Sequence, residues 1–140
     1  MDGKYLVVAS NDDQINFYSL QRGDKTNTYQ CKKYGVSHVK FANHCKLILC
    51  ASTKEGYYRV CLWSLHDNTI LAYFIGHVDE ITGIEVSPLN SFFLSSAKNE
   101  EVRLWDYNKK ECLAVFNETS CGTFDNTGQV IALAYVTDKQ

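Results

Sequence analysis

The 140-residue sequence has one proline, one methionine and no long hydrophobic run. Its longest apolar stretches, 47–51 and 130–136, have the length of a β-strand and are far too short to cross a bilayer. No apolar stripe with helical spacing extends beyond one turn. A transmembrane helix and a helical bundle are therefore excluded from the expected folds, and a protein made of short strands is favoured.

Charge of neither sign is in large excess. Lys and Arg total 14, Asp and Glu total 16, and the net charge is −2. Nucleic-acid-binding domains carry clustered basic residues, so the sequence predicts no direct sequence-specific contact with nucleic acid and no membrane binding. The first residues do not resemble a secretory leader, so we expect an intracellular protein with reduced thiols.

Motifs for catalysis and metal binding are also missing. The six cysteines form no Cys-x-x-Cys pair. Cys45 and Cys50 are separated by an odd number of residues and face opposite sides of a strand, which argues against a metal site there. The sequence has no Gly-x-Ser-x-Gly elbow and no glycine-rich phosphate loop. We therefore expect no enzyme activity, no cofactor and no metal.

What the sequence does contain is an internal repeat of about 43 residues, a length typical of propeller blades. Segment 91–107 aligns without a gap on segment 4–20, at an offset of 87. Segment 47–65 fits the same frame when three extra residues are allowed in its central turn, and Trp63 then falls on Trp105.

Each repeat shows the same succession of four short strand patterns. A first strand is predicted at 37–42, 81–87 and 121–125, and a fourth strand at 69–74 and 111–116. Between them come an apolar second strand, a polar turn and a third strand that ends in Tyr or Trp. The sequence therefore predicts an all-β fold of small antiparallel sheets.

Gly76-His77 opens one repeat, and Trp105-Asp106 closes it. This arrangement resembles the WD-repeat β-propeller family, in which such pairs mark one four-stranded blade. The resemblance implies a buried hydrogen-bonded set that stabilises the blade, carried over onto His77, Ser95 or Ser96, Asn99 and Trp105. Asn99 replaces the aspartate of the family pattern, so we expect a weaker link to His77.

The other repeats depart further from the family pattern. Asp12 holds the turn position of the first repeat, but Tyr18 replaces its Trp; Trp63 is present in the second, but Ser64 replaces its Asp. His, Ser and an acid in one cluster also suggest a catalytic triad. The structural interpretation is preferred because Ser95 lies within a predicted strand and not on a sharp elbow.

A narrower resemblance lies in the middle of the chain. Residues 33–35 (Lys-Tyr-Gly), 65–68 (Leu-His-Asp-Asn) and 73–77 resemble the WD-repeat subunit shared by COMPASS-type histone lysine methyltransferase complexes and RNA 3′-end processing and termination complexes. The resemblance implies a nuclear, non-catalytic scaffold that binds protein subunits of a multiprotein complex. Asn108 stands where an Arg is common, which also argues against a ubiquitin-ligase substrate receptor.

Propellers usually bind peptides on the rim that here comprises residues 77–80 and the turns at 11–14, 53–58 and 98–101. Tyr and Arg are over-represented at binding hot spots, and Arg can bind a phosphate or carboxylate through two hydrogen bonds. We predict a partner-binding patch for an acidic or phosphorylated peptide, composed of Lys54, Tyr57, Tyr58, Arg59, Asp79 and Lys98. An ordinary solvated turn is the alternative.

The number of repeats predicts an incomplete propeller, with about three four-stranded blades and part of a fourth out of seven. Within one unit, 1–140, repeats end near Leu20, Leu65 and Tyr107, and a partial fourth starts at Ser120. A seven-bladed ring needs about 300 residues. We expect a fragment, or a chain completed by a second copy or a partner. The alternative functions are a generic adaptor in ubiquitination or trafficking, and a fragment without independent function.

Overall fold

The computed structural model describes residues 3–99 and 101–137, which form thirteen β-strands in four antiparallel sheets. The first sheet contains β1 (Tyr5–Ser10), β2 (Gln14–Ser19) and β3 (Asp24–Gln30). The second contains β4 (Ser37–Phe41), β5 (Leu47–Ala51), β6 (Arg59–Ser64) and β7 (Thr69–Ile75). The third contains β8 (Ile81–Val86), β9 (Phe92–Ala97), β10 (Glu101–Asp106) and β11 (Glu111–Asn117), and the fourth contains β12 (Thr119–Phe124) and β13 (Ile131–Tyr135).

Every sheet is a simple meander in which strands that follow one another in the chain are paired. The prediction of an all-β fold of small antiparallel sheets is confirmed, and no helix that could cross a membrane occurs in the described ranges. The segment 107–116 has a mildly helical composition, but it forms a turn followed by β11, because the β-forming residues at its end pair with β10.

The two middle strands of the second sheet are covered on both faces. Leu49 and Leu62 pack in the core shared with the third sheet, whereas Ile48 and Trp63 pack in the core shared with the first. A strand that is buried on both faces needs apolar residues at consecutive positions and not at alternate ones. This explains the continuous apolar run at 47–51.

The first strands of the sheets lie side by side. β8 is flanked by β4 and β12, and the three strands line a groove of about 640 Å³. Lys40 Nζ on β4 lies 3.3 Å from Glu85 Oε1 on β8 across this junction. In a β-propeller the first strand of each sheet lies innermost, beside the first strand of the next sheet. The described residues have this radial arrangement and form an incomplete propeller, as the repeat count predicts.

A β-bulge recurs at one place in the first three sheets. The register between the last two strands of each sheet shifts immediately before Tyr18, Trp63 and Trp105. The extra residue of each bulge, Thr26, Leu71 or Leu113, lies on the last strand of its sheet, opposite the aromatic residue, and there it bends the strand and increases the local twist. The three aromatic residues are therefore equivalent in the structure as well as in the sequence alignment.

Candidate functional site

The buried polar contacts of the third sheet meet at Ser95. Its Oγ lies 2.6 Å from Nε2 of His77 and accepts a hydrogen bond of 2.8 Å from Nε1 of Trp105. All three side chains are buried. Buried ring nitrogens need polar partners, and one hydroxyl serves both. Of the two serines considered from the sequence, the structure places Ser95 in this set.

The acidic member of the set is Glu101. Its Oε1 lies 3.0 Å from His77 Nδ1, although at an angle outside the range of a hydrogen bond, and the same carboxylate pairs with Arg103. Asn99, to which the repeat pattern assigned this role, is instead exposed in the turn before β10. Strand alternation could have identified Glu101, because it shares a face of β10 with Arg103 and Trp105.

Burial and charge act in opposite directions on this pair. Burial lowers the pKa of His77, and the nearby Glu101 carboxylate only partly offsets this effect. Burial raises the pKa of Glu101, but Arg103 and His77 outweigh it and leave the pKa below its usual value. At neutral pH the site therefore holds a neutral imidazole beside a carboxylate that is neutralised by Arg103.

Asp106 explains why an acid follows the buried Trp. Its Oδ1 accepts a hydrogen bond of 2.7 Å from Ser91 Oγ and further bonds from the backbone N–H groups of Asn108, at 3.0 Å, and Lys109, at 3.3 Å. Burial raises the pKa of Asp106, and these hydrogen bonds more than offset it, so the pKa is lowered. The carboxylate fixes the turn between β10 and β11.

The equivalent positions of the other sheets are occupied differently. Trp63 Nε1 donates to Asn68 Oδ1 at 3.2 Å, and its ring meets Tyr29 edge-on at 5.9 Å between centroids. Asp12 is exposed in the turn between β1 and β2. Its neighbour Asp13 makes the contact across this rim of the sheets, 3.7 Å from the ammonium group of Lys54.

A cluster of tyrosines surrounds Arg59 on that rim. The guanidinium carbon lies 5.2 Å from the ring centroid of Tyr34, 4.9 Å from that of Tyr57 and 5.5 Å from that of Tyr73. Lys33 Nζ lies 4.9 Å from the Tyr34 ring, and a hydrogen bond from this ammonium lowers the pKa of the Tyr34 hydroxyl. We call Lys33, Tyr34, Tyr57, Arg59 and Tyr73 the tyrosine–arginine cluster.

The structure brings only part of the predicted patch into this cluster. Tyr57 and Arg59 belong to it, and Lys54 lies in the same turn but is engaged with Asp13 and the Lys32 carbonyl. The remaining residues of the predicted patch, Tyr58, Asp79 and Lys98, lie nearer the rim of the third sheet. Lys98 pairs with Glu80, which raises the pKa of Lys98 together with Asp79 and Tyr58, and Asp79 Oδ1 accepts the N–H of Glu80 at 2.7 Å.

Tyr34, Tyr73 and Lys33 were not assigned to the patch from the sequence. Tyr34 lies in the loop between β3 and β4, and Tyr73 lies on β7, where it pairs with Cys61. One signal was available, since the alternation of β7 places Tyr73 on its exposed face.

A family model described as "WD domain, G-beta repeat" matches residues 68–106, the span that contains His77, Ser95 and Trp105. Together with the radial arrangement of four meander sheets, this match shows that the chain contains a WD repeat and that its described residues have the fold of an incomplete β-propeller.

Three curated relatives are similar to almost the whole chain. WD repeat-containing protein 82 of Drosophila melanogaster is 32% identical over 133 residues, which cover 94% of this chain and 42% of the relative. The Set1 complex component swd2 of Schizosaccharomyces pombe is 33% identical over 132 residues, covering 93% and 37% respectively. The COMPASS component SWD2 of Saccharomyces cerevisiae is 30% identical over 134 residues, covering 94% and 40%.

The chain spans about two fifths of the length of these relatives. The narrower resemblance predicted from residues 33–35, 65–68 and 73–77 is thereby confirmed, because the relatives include components of Set1 and COMPASS complexes.

We expect Ser95→Ala to lower the free energy of unfolding by about 2–4 kcal/mol, because it leaves the ring nitrogens of His77 and Trp105 buried without their partner. Urea denaturation followed by circular dichroism measures this change. Ser96→Ala is the matched control: Ser96 is also buried, but no hydrogen bond is described for its side chain, so its loss should be much smaller. Equal effects of the two substitutions would contradict the assignment of Ser95.

We expect the protein to lose stability as the pH falls from about 7 to about 5.5. The pKa of His77 is lower in the folded chain than the value of about 6.5 in an unfolded chain, so the unfolded state binds the extra proton first. The contribution is therefore complete above about pH 6.5 and decreases below it.

The urea midpoint of the wild type should fall over this range, and that of His77→Gln should fall less. The carboxylates with lowered pKa values, Glu101, Asp106 and Asp125, begin to lose their contribution only below about pH 5 and do not interfere. The same pH dependence in both proteins would show that His77 is not responsible.

Proposed function

We propose that this chain is a non-catalytic protein-interaction scaffold, a subunit of a nuclear histone lysine methyltransferase complex of the Set1/COMPASS type, with a role in mRNA 3′-end processing. Its support is the similarity, over more than nine tenths of the chain, to proteins named as Set1 complex and COMPASS components. The partners are protein subunits of the complex.

The geometry of the polar residues supports the non-catalytic assignment. Ser95 is fully buried and His77 nearly so, and the Ser95 hydroxyl is occupied by both His77 and Trp105. A serine nucleophile must be reachable by a substrate and activated by a base that is free to accept its proton. The set therefore stabilises the sheet and offers no site for a reaction.

The proposal that the chain binds a peptide is supported by the tyrosine–arginine cluster. Three aromatic rings hold the Arg59 guanidinium in place, and Tyr57 is 44% exposed. Among the described residues, no carboxylate pairs with Arg59, and its Nε is buried without a hydrogen-bond partner. A preorganised positive charge surrounded by aromatic rings suits an acidic or phosphorylated peptide.

The double substitution Tyr57→Ala and Arg59→Ala should reduce capture of methyltransferase-complex subunits by about tenfold or more, because Tyr and Arg residues at an interface centre contribute most of its binding energy. The measurement is affinity purification of the tagged chain from cells of its source, with captured proteins quantified by mass spectrometry.

Arg22→Ala and Tyr135→Ala provide matched controls. Both residues are exposed and lie outside the cluster, so their replacement should leave capture unchanged. Enrichment of vesicle-coat or ubiquitin-ligase subunits in place of methyltransferase subunits would overturn the proposed complex.

The ligand chemistry is tested separately. A labelled peptide that carries phosphoserines should bind the purified chain more tightly than the same peptide without phosphate, and Arg59→Ala should remove the preference. Fluorescence anisotropy at about 0.15 M ionic strength measures both affinities, with Arg22→Ala as the control. A preference that persists in Arg59→Ala would exclude the cluster as the phosphate-binding site.

A further inference from the structure

Two buried cysteines face each other on the middle strands of the second sheet. Cys50 on β5 is the register partner of Cys61 on β6, and neither is oxidised. The N–H of Ser52 donates to the carbonyl of Arg59 at 3.0 Å, so these two residues form a hydrogen-bonded pair of the ladder. Hydrogen-bonded pairs recur every two residues in an antiparallel ladder, so Cys50 and Cys61 form one as well. Cα atoms in such a pair are about 5.5 Å apart, within the range of about 4.4–6.8 Å found in disulfides.

These thiols occupy the positions that Ser95 and Arg103 have in the third sheet. Ser95 pairs with Arg103, two residues before Trp105, and Cys50 pairs with Cys61, two residues before Trp63. Trp63 does not use the thiol as its acceptor, because its Nε1 donates to Asn68. The two sulfur atoms therefore do not take part in a buried hydrogen-bonded set like the one that Ser95 and Arg103 help to form in the third sheet.

The two thiols differ in their chemistry. Their side chains are register partners on β5 and β6, and a hydrogen bond from Cys50, assisted by the charge of Arg59, lowers the pKa of Cys61 despite its burial. The same contact and burial raise the pKa of Cys50. The third nearby thiol, Cys31 on the first-sheet side, has its pKa raised to about 12 by burial. Arg59 lies two residues before Cys61 on the same face of β6, so its positive charge favours the thiolate on Cys61, which is the candidate nucleophile.

A cavity gives small molecules access to this pair. It lies between the first and second sheets, has a volume of about 350 Å³, and is lined by Cys31, Cys50, Cys61, Tyr34 and Tyr73, among others. A thiol that is both polarised and reachable is the kind that oxidants select.

We propose that Cys50 and Cys61 are a modification site, at which a small hydroperoxide converts the two thiols into a reversible disulfide across β5 and β6. The Cys61 thiolate attacks the terminal peroxide oxygen, the O–O bond breaks, and the departing hydroxide or alkoxide takes up the proton that Cys61 released. The sulfur of Cys50 then attacks the sulfenic acid on Cys61. The S–S bond forms, the S–O bond breaks, and hydroxide leaves as water with the Cys50 proton. The thiols lose two electrons, and the peroxide gains them.

The strand geometry makes this disulfide easy to reduce. Facing Cβ atoms on paired strands lie about 4.5–5.5 Å apart, with the closely bonded pairs at the wider end, whereas a disulfide needs about 3.5–4.5 Å. Oxidation must therefore draw β5 and β6 together against the packing on both faces, and a strained disulfide is readily reversed by cellular thiols.

The test is a disulfide map of the purified 140-residue chain after treatment with hydrogen peroxide. Remaining thiols are blocked in denaturant, and trypsin then separates Cys50, on peptide 47–54, from Cys61, on peptide 60–98. We expect these two peptides to be recovered as one cross-linked species that dithiothreitol separates. Recovery of both in blocked form, or a link from Cys61 to Cys31, would overturn the proposal.

Substitutions assign the two roles. Cys61→Ser should abolish the cross-link, and Cys50→Ser should leave a sulfenic acid on Cys61 that dimedone traps. Cys112→Ser is the matched control, since Cys112 is exposed and its loss should leave the cross-link unchanged. The wild-type map stands without these variants, so a variant that fails to fold does not remove the test. Dimedone labelling at Cys112 or Cys121 alone would contradict the assignment of Cys61.

Discussion

Packing between the faces of neighbouring sheets is the interaction on which the other features depend. The apolar side chains of β5 and β6 divide between two cores, one shared with the first sheet and one with the third. No single sheet of four short strands buries enough apolar surface to be stable alone, so each sheet needs the next. This stacking holds the ends of the sheets and their innermost strands in fixed relative positions, and it thereby forms the rim and the groove lined by β4, β8 and β12.

The buried polar residues are arranged within this packing and differ from sheet to sheet. In the third sheet one serine hydroxyl serves both a histidine and a tryptophan, whereas in the second the tryptophan has its own amide partner in Asn68. Both arrangements satisfy the indole N–H, which is the physical requirement. Because the second sheet meets it through Asn68, two thiols can occupy positions that are polar in the third.

The strands and their order could be predicted because they depend on the local pattern of apolar and polar residues and on a repeat that occurs three times in the sequence. The placement of Trp63 and Trp105 followed from the same alignment. Glu101 was missed because the family pattern assigns the acid to the turn, while here the strand itself supplies it. The cluster around Arg59 was only half predicted, since Tyr34 and Tyr73 reach it from different segments and only the packing of a loop and two strands brings their rings together.

The chain has two tryptophans, and each lies in a different intersheet core. Trp63 contacts the aromatic residue of β3, and Trp105 packs on Phe74 and Phe93 between the second and third sheets. Their indole rings are therefore natural fluorophores that report separately on the two junctions. A protein in which one tryptophan is replaced by phenylalanine would show, through the emission of the other, whether the sheets separate together or one after another.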